Sequence, residues 1–158
     1  MTKIFLAKNH DAPLKRGHPW VFSRAIKTID GNPESGDTVA VHDAKGEFSG
    51  LGAWSPVSQI RIRMWCYDNT PINAGYFEDR IASAIALRKK LNLDSNACRL
   101  VHAEADRLPG LTVDEYDNWL ICQFTAAGVE RWKETIFAAL RKHLPDKNIY
   151  ERSDPDVR

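Results

Sequence analysis

The chain has 158 residues, 43% of them hydrophobic and 27% charged, and a formal net charge of +1. That balance excludes a disordered chain and a polycation, and the length suits one ordinary domain or two small ones. The apolar runs all fall short of the ~18 residues a membrane span needs. The three cysteines, Cys66, Cys98 and Cys122, are widely spaced and outside any C-x-x-C, so free thiols and a cytoplasmic location are expected.

Residues 3–8 predict a first strand, with Ile4, Phe5, Leu6 and Ala7 between lysines. The window 15–24, Lys-Arg-Gly-His-Pro-Trp-Val-Phe-Ser-Arg, follows as a short helical or turn segment, with Pro19 expected to open a helical turn. Residues 25–29 resume extended and end at the turn cluster Asp30-Gly31-Asn32-Pro33. Residues 38–42 alternate with β-branched side chains and predict a strand, and 43–46 a hairpin loop. Residues 47–54 return as a strand whose Gly50 and Gly52 predict a bulge or close backbone approach. Residues 59–65 predict a strand with Ile60, Ile62 and Met64 on one face and Arg61, Arg63 and Trp65 on the other. Short strands with frequent turns imply a small barrel or sandwich over this first part.

The pattern changes at 67–71, which places a boundary between a domain over 1–70 and a second over 71–158. Asn73 can cap a helix over 74–91, with Phe77, Ile81, Ala84, Ile85 and Leu91 on one stripe. Residues 92–97 read as a loop and 99–102 as a strand. Residues 111–116 and 119–124 alternate across Asp117-Asn118 as a hairpin. A second helix is predicted over 129–143, stopped by Pro145, with Trp132, Ile136, Ala139 and Leu140 buried. A last strand starts at 148, with no closing element expected after it and a charged tail over 151–158. The fold class expected is mixed α and β: a small β-barrel, then an α+β domain with two helices and a hairpin.

Several chemistries can be weighed on this chain. His102-Ala103-Glu104 matches half of the zinc deaminase signature, but the P-C-x-x-C half is missing. Glu104, Asp106 and Asp114 are of the type that binds a hard cation, yet acids beside a Pro-Gly turn more often bond backbone N–H groups. Gly50-Leu51-Gly52 falls inside a strand, so it is not a dinucleotide or S-adenosylmethionine loop, and no metal site is expected. Nucleic-acid binding fares better. Residues 1–28 hold six cations (Lys3, Lys8, Lys15, Arg16, Arg24, Lys27) against one acid, Asp11. Cations attract phosphate and aromatic faces stack on bases. Lys15, Arg16, His18, Arg24, Arg61 and Arg63 are the expected RNA-binding residues, forming one surface if the 15–24 stretch packs beside the strand at 59–65. Trp20 and Phe22 are expected to anchor that corner inward.

Residues 1–66, with Lys-Arg-Gly-His-Pro-Trp-Val-Phe-Ser-Arg-Ala-Ile at 15–26 after a short first strand, resemble the N-terminal PUA domain of the bacterial S-adenosylmethionine-dependent 23S ribosomal RNA cytosine-C5 methyltransferases. Residues 99–116, with Leu-Pro-Gly-Leu-x-Val-Asp-x-Tyr at 108–116, and residues 149–154, Ile-Tyr-Glu-Arg-Ser-Asp, are similar to the same family's central domain. The resemblance implies a PUA domain, a central domain with a long hairpin, and then a Rossmann-like methyltransferase domain that these residues do not include. The chain is therefore expected to be a piece of a longer cytoplasmic enzyme. In that parent, S-adenosylmethionine would donate the methyl group and a cysteine thiolate would activate the base. None of Cys66, Cys98 or Cys122 matches the catalytic position. No catalytic, cofactor-binding or metal residue is expected here, and ribosomal RNA is the expected partner. A stand-alone RNA-binding adaptor and a scaffold that binds no RNA are the alternatives.

Overall fold

β-Branched residues at alternate positions put Thr38–His42 and Ile60–Cys66 into strands. In the computed structural model, which describes residues 1–92 and 94–154, these strands lie in the first of two units, Met1–Pro71 and Ile72–Arg158. The first unit runs β1 (Lys3–Leu6), α1 (Ala12–Lys15), β2 (Trp20–Phe22), β3 (Ile26–Asp30), β4 (Thr38–His42), β5 (Phe48–Trp54) and β6 (Ile60–Cys66). They form one six-stranded sheet in the order β2-β6-β5-β4-β1-β3.

That order fixes the shape. The two edge strands, β2 and β3, are consecutive in the chain and separated only by a 3-10 turn at Ser23–Ala25. Three residues reach at most about 10 Å, so the sheet must roll until its edges nearly meet. Inside the roll lie Ile4, Leu6, Val21, Val39, Val41, Ile62 and Met64, all buried. Each such aliphatic side chain contributes about 1.5–3 kcal/mol by leaving water.

The segment that carries the basic-aromatic window differs from its predicted form. Residues 20–22 are a strand, and Pro19 precedes it rather than opening a helix. Pro19 has no N–H to give, but its carbonyl accepts from Met64 N–H at 2.8 Å, so the segment joins β6 one residue before β2 begins. The helical turn lies upstream in α1, where Pro13 sits in the first turn and Leu14 is buried. α1 ends in a Schellman motif: His18 N–H reaches Pro13 O at 3.0 Å, and Gly17 N–H reaches Leu14 O at 2.9 Å. Gly17 takes the left-handed conformation this requires, at φ +81°. The Tyr67 hydroxyl donates to Gly17 O at 2.8 Å and holds the turn from outside.

The second unit runs α2 (Ala74–Lys90), β7 (Ala97–His102), β8 (Leu111–Tyr116), β9 (Trp119–Phe124), α3 (Ala127–Arg131), α4 (Lys133–His143) and β10 (Asn148–Glu151). The Asn73 side chain caps α2 by accepting from Tyr76 N–H at 3.1 Å. Phe77, Ile81, Ala84 and Ile85 are buried as expected, whereas Leu91, just past the helix, is exposed. The hairpin β8–β9 turns at Asp117, with Tyr116 opposite Trp119.

One expectation for this unit is corrected. The single helix over 129–143 is two helices, broken at Trp132, whose ring lies 4.9 Å from that of Phe77. The strand expected from 148 is β10, which pairs in parallel with β9, Tyr150 beside Ile121, and Arg152 N–H extends the ladder to Cys122 O at 2.8 Å. A parallel pair needs a crossover, which α3 and α4 supply. Of the expected loop over 92–97, Leu93 lies outside the described residues, as do residues 155–158 of the charged tail.

Candidate nucleic-acid interface

β2 is the element that places the aromatic side chains. Strand alternation sends Val21 into the core, 3% exposed, and turns Trp20 and Phe22 to the outer face, with Phe22 38% exposed. The expectation that Trp20 and Phe22 anchor the corner inward is therefore corrected: Val21 is the anchor. His18 joins the two aromatics, its ring centroid 5.7 Å from Trp20 edge-on and 6.4 Å from Phe22. His18 Nδ1 accepts from Trp20 N–H at 3.2 Å, which assigns the ring proton of neutral His18 to Nε2.

β2 pairs with β6 so that Trp20 lies opposite Arg63. The Arg63 guanidinium sits over the Trp20 ring at 5.2 Å, a cation–π contact. The packing of the 15–24 stretch beside the strand at 60–66, on which a shared surface depended, is thus present. Between α1, β2 and the 3-10 turn lies a groove of about 370 Å³. Arg16, His18, Trp20, Phe22 and Arg24 line it, together with Asn9 and His10. Leu14, Val21 and Ala25 form its buried apolar floor. Arg16 and Arg24 are both exposed, and neither has an ion-pair partner among the described residues. No His, Cys, Asp or Glu cluster suited to a metal occurs among the described residues, and no helix there is long and apolar enough to cross a membrane.

The six expected site residues do not all meet in this groove. Arg16, His18 and Arg24 do, and Arg63 reaches it through Trp20. Arg61 lies in a separate groove with Lys27, Ile29 and Trp54. Its guanidinium donates to Ser55 O at 3.1 Å and to Pro56 O, and sits 5.5 Å from the Trp54 ring. Arg61 is thereby tied to the turn between β5 and β6.

Lys15 faces a third direction. Its Nζ contacts Asp11 Oδ2 at 2.5 Å and Asp43 Oδ2 at 2.9 Å. The other oxygen of Asp43 accepts the N–H groups of Lys45 and Glu47, at 2.9 and 3.0 Å, and so shapes the β4–β5 loop. Lys15 therefore ties α1 to that loop. Its hydrogen bond, with the two backbone N–H groups, holds the Asp43 carboxyl down at about 2, below its ordinary 3.8. Asp11 is lowered by the same lysine, and the two carboxylates in turn raise Lys15. A carboxyl depressed on folding stabilises above its unfolded value and loses that contribution as it protonates. Asp43→Asn is thus expected to melt at a lower temperature than the parent at pH 7, with the gap closing between pH 4 and pH 2. Calorimetric melts across that range check it, and a gap that is constant with pH contradicts the Lys15–Asp43 pairing.

The remaining motifs have structural roles. Asp106 is gripped by Arg88 and Asp114 by Arg99, at 2.6 and 2.7 Å, so neither carboxylate is a spare cation ligand. Leu108 and Leu111 of the Leu-Pro-Gly-Leu turn are fully buried, which makes that stretch a folding signature. Cys66 and Cys122 are buried, and burial raises both thiols, Cys122 to about 12, away from the thiolate a nucleophile requires. Gly50-Leu51-Gly52 packs between β4 and β6, where a Cβ on either glycine would meet neighbouring atoms within 2.4 Å. Such a strand does not fit an S-adenosylmethionine loop.

The first unit can be placed by comparison with known proteins. Residues 4–67 match the PUA-like domain family. The PUA-like unit and the unit after it also recur together. The chain is 47% identical, across 99% of its length, to a Photobacterium profundum protein named ribosomal RNA large subunit methyltransferase I. A Pseudoalteromonas translucida protein of the same name is 46% identical over 99% of the chain. The chain spans 41% and 40% of these curated relatives. Among solved structures, a protein of Streptococcus mutans provisionally named a SAM-dependent methyltransferase matches with TM-score 0.84. A second, provisionally named methyltransferase, solved in complex with SAH, matches with TM-score 0.85. Each is 22% identical over 99% of the chain, which spans 42% and 41% of them, and the likeness is one of fold.

Sequence reasoning found the cations of this corner and missed its organisation. Phe22 and Asn9 were not singled out as binding residues, although strand alternation around Val21 was available as the signal for Phe22. Asn9, at φ +68° in the loop between β1 and α1, left no signal beyond its tolerance of that conformation.

Proposed function

We propose that this chain is the RNA-docking part of an S-adenosylmethionine-dependent methyltransferase of large-subunit (23S) ribosomal RNA. The full-length parent would methylate cytosine at C5. The relatives' names support the parent activity, and their greater length supports a separate catalytic part that holds S-adenosylmethionine. No residue of this chain is assigned a catalytic or cofactor role.

The observation that carries the docking role is the groove on the PUA-like unit. It combines two arginines without an ion-pair partner among the described residues, Arg16 and Arg24, with outward aromatic rings and the Arg63–Trp20 stack. Charge for phosphate beside π-faces for bases is the mixture by which proteins hold unpaired RNA. Lys15 and Arg61 contribute by fixing the frame around the groove.

Filter binding of large-subunit ribosomal RNA to the 158-residue chain tests the docking role. Binding at ~10⁻⁶ M or tighter is expected in low salt. Absence of binding there contradicts it and favours a protein scaffold. The coding sequence that neighbours this stretch tests the parent activity: a strand followed by a glycine-containing loop and a helix is expected.

A further inference from the structure

We propose that the open face of the second unit's sheet is a contact for single-stranded RNA, with bases stacked on Tyr116, Trp119 and Tyr150. The choice of RNA as the ligand rests on the docking reading above, and the inference adds a second place where RNA is held.

Strand pairing builds the face. The sheet runs β10-β9-β8-β7, and one side of it carries Val101, Val113, Leu120, Cys122 and Phe124, all fully buried. α4 covers that side: the Phe137 ring meets Phe124 edge-on at 5.4 Å, and Lys133 Nζ lies 5.2 Å from the same ring. Alternation sends the intervening residues to the other side. There Tyr116 stands opposite Trp119, and Tyr150 stands beside Ile121, two residues along from Trp119. The three rings are 53%, 49% and 56% exposed. Single exposed apolar side chains are ordinary on a protein surface, but three large rings on adjoining strands make a patch.

The rings are free to take a ligand. Among the described residues no other aromatic ring stacks on them and no cation covers their faces. The hairpin tip that carries Tyr116 and Trp119 is braced on both flanks. Asp117 N–H donates to Asn96 O at 2.8 Å on one side, and Asn148 N–H donates to Asn118 O at 2.8 Å on the other. Lys147 Nζ adds a bond to Asp117 O at 2.5 Å.

The make-up of the face selects the ligand. Asp114, Gln123 and Asn148 lie among the rings, so a purely apolar partner would bury polar groups without replacing their bonds to water. A nucleobase brings a flat π-face for each ring and polar edges for these neighbours. Along the outward positions of the four strands and their extension, Arg99 and Arg152 stand against the acid Asp114. Asp114 holds Arg99 in a two-pronged pair at 2.7 and 3.0 Å, which uses part of its N–H donors and leaves the side chain 48% exposed. Arg152 is exposed and has no ion-pair partner among the described residues. Both arginines are placed to meet phosphate. Spacing sets the form of the RNA. Trp119 and Tyr150 lie one strand across and two residues along, so their backbones are ~8 Å apart. That exceeds the ~3.4 Å step of a stacked strand, so only unstacked bases can occupy both rings.

The test uses the 158-residue chain and a short fluorescein-labelled RNA of mixed sequence that does not pair with itself, with binding read by anisotropy. Trp119→Ala combined with Tyr150→Ala is expected to bind ~30-fold more weakly at fixed salt, with the slope of log affinity on log salt unchanged because no phosphate contact is removed. Trp119→Phe combined with Tyr150→Phe keeps a ring at each position and is expected to stay within ~3-fold of the parent. Parent-like affinity in the alanine variant overturns the sheet contact, leaves RNA docking standing and gives the face to a protein partner. A flattened slope in the alanine variant, or an equal loss in the phenylalanine variant, also overturns stacking on these rings. No binding of the parent chain in low salt overturns the docking reading itself.

Discussion

A Gly50→Ala protein is expected to lose the fold of its PUA-like unit. Gly50 lies in β5, between β4 and β6, at φ +138°, a conformation that residues with a Cβ rarely adopt. A Cβ built there lies 2.3 Å from Cys66 O and 2.9 Å from Tyr67 Cα. Both are backbone atoms, Cys66 at the end of β6 and Tyr67 immediately after it, and β6 also carries Arg63 and Trp65. Relief therefore requires β5 and β6 to part, since no flexible side chain can swing away. Strain and lost ladder bonds together are expected to cost about 4 kcal/mol or more, a large fraction of a small domain's stability. Tryptophan emission and limited proteolysis at 25 °C report it, since Trp20, Trp54 and Trp65 all lie in this unit. Native emission and native protease resistance in Gly50→Ala would show that the two strands do not approach this closely.

In the second unit, Asp106→Ala is expected to be the costliest polar substitution. Arg88 and Asp106 form a two-pronged pair, at 2.6 and 2.7 Å, with side chains only 13% and 8% exposed. Asp106 also accepts from His102 N–H at 2.6 Å, and Arg88 donates to Arg99 O at 3.1 Å. The pair thereby links α2, β7 and the turn that follows. Removing the carboxylate leaves a desolvated guanidinium without its counter-charge, which costs about 3–5 kcal/mol. Urea unfolding should show a lower midpoint at unchanged slope. The apolar double substitution Arg88→Met with Asp106→Leu should recover much of the loss, because it removes both buried charges together. A loss below about 1 kcal/mol in Asp106→Ala is what an exposed pair would give.

The contrast between these two residues shows what a sequence discloses. Gly50 and Gly52 stood inside an alternating strand pattern, and a close backbone approach was the direct reading. Asp106 stood beside a Pro-Gly turn, and nothing nearby in sequence marked Arg88, 18 residues earlier, as its partner. Local signals of period two gave strands 38–42 and 60–66 almost to the residue, and Asn73 gave the start of α2. Trp20–Phe22 was missed because Gly17 and Pro19 read as helical-turn punctuation. In fact Gly17 closes the short helix upstream and Pro19 leads into a strand. The break at Trp132 carries no glycine or proline, and the Trp132–Phe77 ring contact there depends on tertiary packing.

The candidate site was legible to a similar depth. Counting charges located the basic corner, and alternation correctly put Arg61 and Arg63 on one strand face. Which partner each arginine meets was not legible, because Trp20 and the carbonyls of Ser55 and Pro56 reach them only in the folded sheet. The cations thus separate into those tied into the corner by contacts, Lys15 and Arg61, and those left exposed at its groove, Arg16 and Arg24, with Arg63 behind Trp20.

That separation can be measured. The affinity of the 158-residue chain for large-subunit ribosomal RNA, followed against salt, gives a slope of log affinity on log salt set by the phosphates it neutralises. Replacing Arg16 and Arg24 together by glutamine is expected to flatten that slope by about 1.4, as for two lost contacts to unpaired RNA, while the melting temperature stays near that of the parent. An unchanged slope and unchanged affinity in this double variant, with the parent chain binding RNA, would contradict the claim that the corner between α1 and β2 is the docking surface.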